Sequence, residues 1–154
     1  VFRAAQIGYV LACLEGADPE KTAGMLLFHD NGEIRVGDQH KVARRYFDIR
    51  KAEEDAFTHQ LTRLPGQIAQ KLLTLFHEFN KRESKEAVVA SDADKLEAAI
   101  TAKEYLERGY KGQINWINNV KKVLRTDSAK QLLELIIKED DFINSWWKGL
   151  KKTE

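Results

Sequence analysis

The sequence predicts an all-α protein built as a single bundle of about eight helices. Apolar residues recur three and four positions apart along the chain, and no stretch alternates convincingly with the period of two that a half-buried strand requires. Only two prolines and nine glycines interrupt 154 residues, which leaves room for long helices. The composition, 43% hydrophobic and 32% charged, is that of a folded globular protein, so we interpret residues 1–154 as one domain.

The first two helices lead an apolar run up to a histidine. Residues 2–14 form the first predicted helix, and Gly16 ends it. The tripeptide Asp-Pro-Glu at residues 18–20 is typical of a helix start, because it combines a capping side chain, a proline at the first helical position and an acid in the first turn. We expect this second helix to continue to His29 and Asp30.

The rest of the chain shows the same helical spacing, broken by turn residues. Residues 42–46 are interpreted as either a short helix or a loop. Further helices are predicted over residues 49–64, 68–79, 84–108 and 114–124, then over a segment capped by Asp127, and the tail carries Phe142, Ile143, Trp146, Trp147 and Leu150.

Charge and composition exclude several classes of protein. The formal net charge is +1, and no run of Lys and Arg is interleaved with aromatic residues, so we expect no nucleic acid polymer as partner. No apolar stretch is long enough to cross a bilayer and no signal peptide is recognisable, which predicts a cytoplasmic protein without a membrane partner. The single cysteine, Cys13, cannot form an internal disulfide and is expected to be buried.

One decapeptide, residues 29–38, concentrates groups that bind metals or transfer protons. His29, Asp30, Glu33 and Asp38 follow directly on the apolar run at residues 25–28. Charged groups at the end of a buried run are costly unless something pairs with them. A divalent cation is one such partner, because neutral imidazole and ionised carboxylate are its ligands.

The long helix at residues 84–108 supplies two candidate aspartates. Asp94 has Ala90 and Ala98 one turn before and after it, which leaves space beside its carboxylate for a metal or a substrate. Asp92 falls within the broad apolar stripe and is the more buried of the two by the helical wheel. Either aspartate is a candidate ligand, and a plain capping or ion-pairing role is the alternative for both.

The ordered set of motifs resembles the HD-domain metal-dependent phosphohydrolases. The His29-Asp30 doublet and a later aspartate in an Asp-Ala-Asp-Lys-Leu-Glu helix carry the resemblance. His-Asp-x-x-Glu followed by Gly-Asp, here ending at Glu33 and Asp38, is similar to the 5'-deoxynucleotidase-like branch. The resemblance covers the chain to about Arg108, and residues 110–154 are a less family-like helical tail.

The resemblance implies a set of metal ligands. His29, Asp30 and Asp94 would bind the metal, with Asp92 in reserve. The family's first histidine is expected immediately before Val1, so we expect that the chain has been trimmed there. The metal would be Mn, Co, Fe, Ni or Zn, with Mg less favoured by imidazole and carboxylate ligands.

The resemblance also implies catalytic residues and a substrate. Glu33 would be the acid or base and Asp38 would position water or substrate, while Arg35 and Lys95 are candidates for phosphate binding. The expected activity is hydrolysis of (deoxy)nucleoside 5'-monophosphates to nucleoside and phosphate, and a homodimer is expected. The alternatives are an HD-type hydrolase of a cyclic nucleotide, a triphosphate or another phosphoester, and a non-catalytic metal-binding helical module.

Overall fold

A computed structural model describes residues 1–145, and within that range the chain is helical and contains no strand. This confirms the predicted all-α class. Residues 146–154, with Trp146, Trp147 and Leu150, lie outside the described part. Eight α-helices and two 3₁₀ turns follow in order: α1 (Phe2–Glu15), α2 (Pro19–Phe28), α3 (Glu33–Val36), Ala43–Arg45 (3₁₀), α4 (Ile49–Leu61), α5 (Gly66–Lys81), α6 (Lys85–Glu107), Lys111–Gln113 (3₁₀), α7 (Ile114–Val123) and α8 (Asp127–Lys138).

The predicted helix starts at Asp18 and Ser84 are observed as N-caps. The Asp18 carboxylate accepts the backbone N–H of Lys21, and the Ser84 hydroxyl accepts that of Ala87. The predicted cap at Asp127 is wrong, because Thr126 occupies that position and Asp127 is the first helical residue.

The second helix is shorter than predicted and ends at Phe28. After it, the backbone N–H groups of Asn31 and Glu33 bond to carbonyls three residues earlier, at 3.2 and 3.0 Å. This change from four-residue to three-residue hydrogen bonding tightens the chain into turns. His29 and Asp30 therefore lie in a turn between α2 and α3.

The centre of the bundle is α6, which packs against α1, α2, α5, α7 and α8. Its buried face is rich in alanine, and small side chains let neighbouring helices approach closely. Gly8 of α1 lies beside Ala93 of α6 and Leu26 of α2, so these three helices meet there. A second, smaller cluster of Phe57, Leu61 and Phe76 joins α4 to α5.

The first helix buries a face made mostly of small residues. Ala4, Ala5, Gly8, Leu11 and Ala12 are buried, because the approach of α2 and α6 requires small residues. Cys13 is exposed, so its predicted burial is wrong.

No helix among residues 1–145 combines the length and the apolar character needed to cross a membrane.

Candidate metal centre and active site

His29 is held in one orientation by its surroundings. Its side chain is only 4% exposed, and its ring packs on Phe79 with the ring centroids 4.8 Å apart. Nδ1 lies 2.8 Å from the carbonyl oxygen of Leu26. Because a carbonyl only accepts, Nδ1 must carry the hydrogen and Nε2 is directed to the other side of the ring.

Two carboxylates from different parts of the chain meet at His29 Nε2. Asp30 Oδ1 lies 3.0 Å away and Asp94 Oδ1, from α6, lies 3.3 Å away. The Asp94 side chain is 46% exposed, so this end of the triad opens to solvent. The turn after α2 and the middle of α6 thus bring His29, Asp30 and Asp94 together.

Without a metal, this arrangement favours a protonated histidine. Burial disfavours the charged ring, but the hydrogen bonds and charges of Asp30 and Asp94 outweigh it and raise the pKa of His29 to about 10. The protonated ring then donates from Nε2 to the carboxylates. In the metal-free site, the positive charge of the protonated His29 ring therefore offsets the negative charges of the two carboxylates.

The chemistry of these donors suits a divalent cation. A metal-binding histidine commonly donates its other N–H to a carbonyl, as His29 does to Leu26. Two donors that each lie about 2.1 Å from one cation are about 3.0–3.4 Å apart, which is the spacing between Nε2 and the two carboxylates. Within residues 1–145 no group of three or more His, Cys, Asp or Glu side chains is arranged so that it could hold a metal ion.

Glu33 lies beside the triad at the start of α3. Burial, followed by the charges of Asp30, Asp38 and Glu53, raises the pKa of Glu33 to about 7, against an opposing effect of His29. A carboxyl group with this pKa exchanges protons readily at neutral pH. Asp38 is exposed in the loop after Gly37 and is close enough for its charge to act on Glu33.

Glu53 of α4 is a site residue that the sequence did not reveal. Among the described side chains its Oε1 is a buried oxygen without a hydrogen-bond partner. Burial raises its pKa, Arg44 and Arg50 oppose this, and Asp30 and Asp38 add to it. No role was predicted for Glu53 from the sequence, and the contact of α3 with α4 brings it to the site.

Glycine at position 32 allows that contact. A Cβ on Gly32 would overlap the backbone carbonyl of Glu53. The side-chain amide of Gln60 also donates to the carbonyl of Asn31 at 2.8 Å. The turn carrying His29 and Asp30 is therefore packed directly on α4.

The reserve ligand Asp92 has another role. Its carboxylate is fully buried, and Oδ2 accepts hydrogen bonds from the backbone N–H groups of Arg125 and Thr126 at 2.8 and 2.7 Å, and from the Thr126 hydroxyl at 2.9 Å. Asp92 thus fastens the α7–α8 connection to α6. Because these hydrogen bonds occupy the Asp92 carboxylate within the protein, the structure does not support Asp92 as a metal ligand.

The two predicted phosphate-binding residues also have partners within the protein. Arg35 lies against His59, 2.9 Å from its Nδ1. Lys95 donates to the Ser91 hydroxyl at 2.8 Å and lies 3.5 Å from Asp92. Burial lowers the pKa of Lys95, with Asp92 opposing.

An all-helical fold in which an adjacent histidine and aspartate, His29 and Asp30, meet a distant aspartate, Asp94, is typical of HD-domain proteins. A family profile described as HD domain matches residues 1–136, and the chain belongs to this family.

The 5'-deoxynucleotidase HDDC2 of Dictyostelium discoideum is 30% identical over 91 residues, which cover 57% of this chain and 47% of that protein. The chain thus spans about half the length of the curated relative it matches.

Two solved structures have a similar fold. A conserved hypothetical protein from Pyrococcus furiosus superimposes with a TM-score of 0.70 at 24% identity, covering 90% of this chain and 80% of the other. A structural-genomics target called APC5600, known from a crystal structure, gives a TM-score of 0.65 at 32% identity, with 95% and 77% of the two chains covered. At 24% identity, the likeness to the first protein concerns the fold alone.

Proposed function

We propose that this protein is a metal-dependent phosphohydrolase that converts (deoxy)nucleoside 5'-monophosphates to nucleoside and inorganic phosphate. The observation that carries the proposal is the meeting of His29, Asp30 and Asp94 beside a carboxyl group, Glu33, with a pKa of about 7. The printed name of the HDDC2 relative, a 5'-deoxynucleotidase, supports the choice of substrate.

His29 Nε2 and the carboxylates of Asp30 and Asp94 would hold the cation. The hydrogen bond from Nδ1 to Leu26 keeps the ring in the tautomer that offers Nε2. Mn, Co, Fe, Ni or Zn fits this mixture of nitrogen and oxygen donors better than Mg. The further histidine expected ahead of Val1 remains a prediction.

A bound cation would offset the charge of a phosphate dianion and lower the pKa of water, which makes a hydroxide nucleophile available near neutral pH. Glu33 accepts the proton of the attacking water or donates one to the departing nucleoside oxygen. Asp38 positions the water or the substrate, and its charge helps to keep the Glu33 pKa near neutrality. Water adds to phosphorus, the phosphorus–oxygen bond to the nucleoside breaks, and one proton ends on that oxygen.

Two alternatives remain, another phosphoester substrate and a non-catalytic metal-binding module. Glu33 and Asp38 favour an enzyme, because a binding module needs no proton-transfer group beside its ligands. Lys95 lies near Asp94 in the chain, and its role in phosphate binding is retained as a proposal, as is that of Arg35. A cytoplasmic location and a homodimer are likewise proposals.

The test is to measure the metal content of the purified protein and then phosphate release from a panel of nucleoside monophosphates, cyclic nucleotides and triphosphates with Mn, Co or Mg. We expect release from monophosphates, strongest with Mn or Co. Glu33→Gln should lower kcat about 100-fold or more, because it removes the proton-transfer group.

The matched control is Glu83→Gln, in the exposed connection between α5 and α6. It makes the same chemical change and should leave turnover unaltered. A metal-loaded protein that releases phosphate from no member of the panel would favour the binding module over the enzyme.

A further inference from the structure

We propose that residues 43–50, the turn before α4 together with its first two residues, are the nucleotide subsite, in which Arg44 and Arg50 bind the phosphate and Tyr46 and Phe47 contact the base. The inference rests on the proposed function and specifies where its substrate binds. Arg35 and Lys95 have partners elsewhere in the protein and stay secondary candidates for phosphate binding. The inference assigns the main phosphate contact to residues for which no role was predicted from the sequence.

The first observation is proximity to the triad. The charges of Arg44 and Arg50 act on Glu53, and so do those of Asp30 and Asp38. The Glu53 backbone also lies directly against Gly32, in the turn that carries His29 and Asp30, so Glu53 is close to the triad as well as to the arginines. The α4 helix begins at Ile49, so Arg50 is one turn before Glu53 and the turn leads directly to the site.

The second observation is a charge imbalance. The proposed site brings together Asp30 and Asp94, with Glu33 and Asp38 near enough for their charges to interact, and one divalent cation offsets only part of this negative charge. Guanidinium groups bind phosphate oxygens in pairs and stay charged at all working pH values. Arg44 and Arg50 are exposed, and their charges act on Glu53, so they can supply positive charge beside these acids.

The third observation is a cavity of about 540 Å³ lined by this turn. Its volume falls within the range of about 300–1,000 Å³ that is usual for small-ligand sites. The Asp48 carboxylate in the wall is engaged in capping α4 through the backbone N–H of Lys51, at 3.1 Å. The lining residues are Arg44, Arg45, Tyr46, Phe47, Asp48, Ile49 and Arg50.

The fourth observation identifies the kind of ligand. Tyr46 and Phe47 are 78% and 56% exposed although aromatic side chains are usually buried. Aromatic faces beside arginines are the combination that binds a nucleobase and its phosphate, by stacking and by charge. A phosphoester without an aromatic base would use only half of this surface.

The experiment compares Arg44→Gln/Arg50→Gln with Arg63→Gln, an exposed arginine just beyond the other end of α4, about 20 Å along the helix axis. All three arginines are exposed, so the variants are expected to fold, which circular dichroism checks. With 2'-deoxyadenosine 5'-monophosphate, the double variant should raise KM about tenfold or more and keep kcat within about threefold. The Arg63 variant should match the wild type.

A second pair of substrates tests the base contact. Phe47→Ala should raise KM for 2'-deoxyadenosine 5'-monophosphate about tenfold and leave KM for 2-deoxyribose 5-phosphate, which lacks the base, unchanged. Equal effects on both substrates would overturn the assignment of the aromatic residues to the base.

The outcomes separate the two proposals. Wild-type turnover with unchanged KM in the double variant would overturn the subsite and leave the proposed function intact. If the wild type hydrolyses nothing, the proposed function fails, and calorimetric titration of the Mn²⁺-loaded protein with the same nucleotide decides the subsite. Binding that the double variant loses and Arg63→Gln retains would support it, and absent or equal binding would overturn it.

Discussion

At the scale of single residues, Asp92 and Asp94 have opposite roles although only one residue separates them. Asp92 is fully buried and its carboxylate holds the backbone at Arg125 and Thr126. Asp94 is half-exposed and its carboxylate faces His29. Two residues along a helix rotate a side chain by about 200°, so one aspartate serves the fold and the other the site.

This difference predicts contrasting variants. Asp92→Ala should lower the free energy of unfolding by about 3 kcal/mol or more, because it leaves buried backbone N–H groups without an acceptor. Asp94→Ala should change stability little and weaken Mn²⁺ binding strongly. Urea denaturation and metal titration of both variants check this. A stable Asp92→Ala protein would contradict the structural role of that carboxylate.

The pKa of His29 predicts how metal affinity varies with pH. A folded-state pKa of about 10, above the ordinary value of 6.5, means that the ion pair stabilises the metal-free fold below pH 6.5 and that this contribution is lost as pH rises toward 10. A metal must displace the proton, so affinity for Mn²⁺ should rise about tenfold per pH unit between pH 6 and 8.

Calorimetry at three pH values measures this slope. In Asp94→Asn one of the two carboxylates that hold the proton is neutral, so the His29 pKa falls and the slope should level off at a lower pH. An affinity that does not change with pH would contradict proton displacement from His29.

At the scale of elements, the site depends on how α3 packs on α4. The short α3 has only four residues and no buried side chain of its own, so the α4 contact and the turn before it determine its position. Gly32 makes that contact possible, because any Cβ there would overlap the Glu53 carbonyl. The spacing of Glu33 from His29 is therefore set by a backbone contact and not by a continuous helix.

Gly32→Ala should consequently separate α3 from α4. We expect the free energy of unfolding to fall by about 1–3 kcal/mol, as for other overpacked positions. Turnover should fall by more than this loss of stability explains. The control is Gly66→Ala, where a Cβ would meet nothing within 4 Å. That change should be neutral or slightly stabilising, since alanine favours a helix. Denaturation and activity of the two variants give the comparison, and equal behaviour would contradict the close packing.

At the scale of the whole molecule, an apolar groove runs between α1 and α8. Val10, Leu14 and Leu135 are exposed along it, and it forms a cavity of about 480 Å³. Ser128, at the start of α8, donates its backbone N–H to the carboxylate of Glu15 at the end of α1. This hydrogen bond holds the two helices side by side. Apolar surface of this kind is typical of contact sites between proteins.

The proposed homodimer makes a prediction for this groove. Wild-type protein should sediment as a dimer at micromolar concentration, and Leu135→Glu should shift it to monomer by placing a charge on the apolar surface. Val123→Glu, at an exposed valine on α7, is the matched control and should stay dimeric. A monomeric wild type would contradict the homodimer, and a dimeric Leu135→Glu would place the interface elsewhere.

The sequence alone predicted the helical class, most helix starts and the candidate residues His29, Asp30, Glu33 and Asp94. The class and the helix starts follow from local properties, the spacing of apolar residues and capping side chains at Asp18 and Ser84, whereas the roles of the four candidate residues follow from the resemblance to a family. Local signals suffice for the helices because each signal concerns residues within one or two turns of the same helix.

Only the tertiary structure decided which groups meet. It assigned Asp92 to the α7–α8 connection, brought Glu53 to the acidic cluster and exposed Cys13, because each depends on which helix lies opposite. A helical wheel gives the direction of a side chain but not the neighbour it meets. Burial, pairing and pKa are properties of that neighbour, and they are settled when distant parts of the chain pack together.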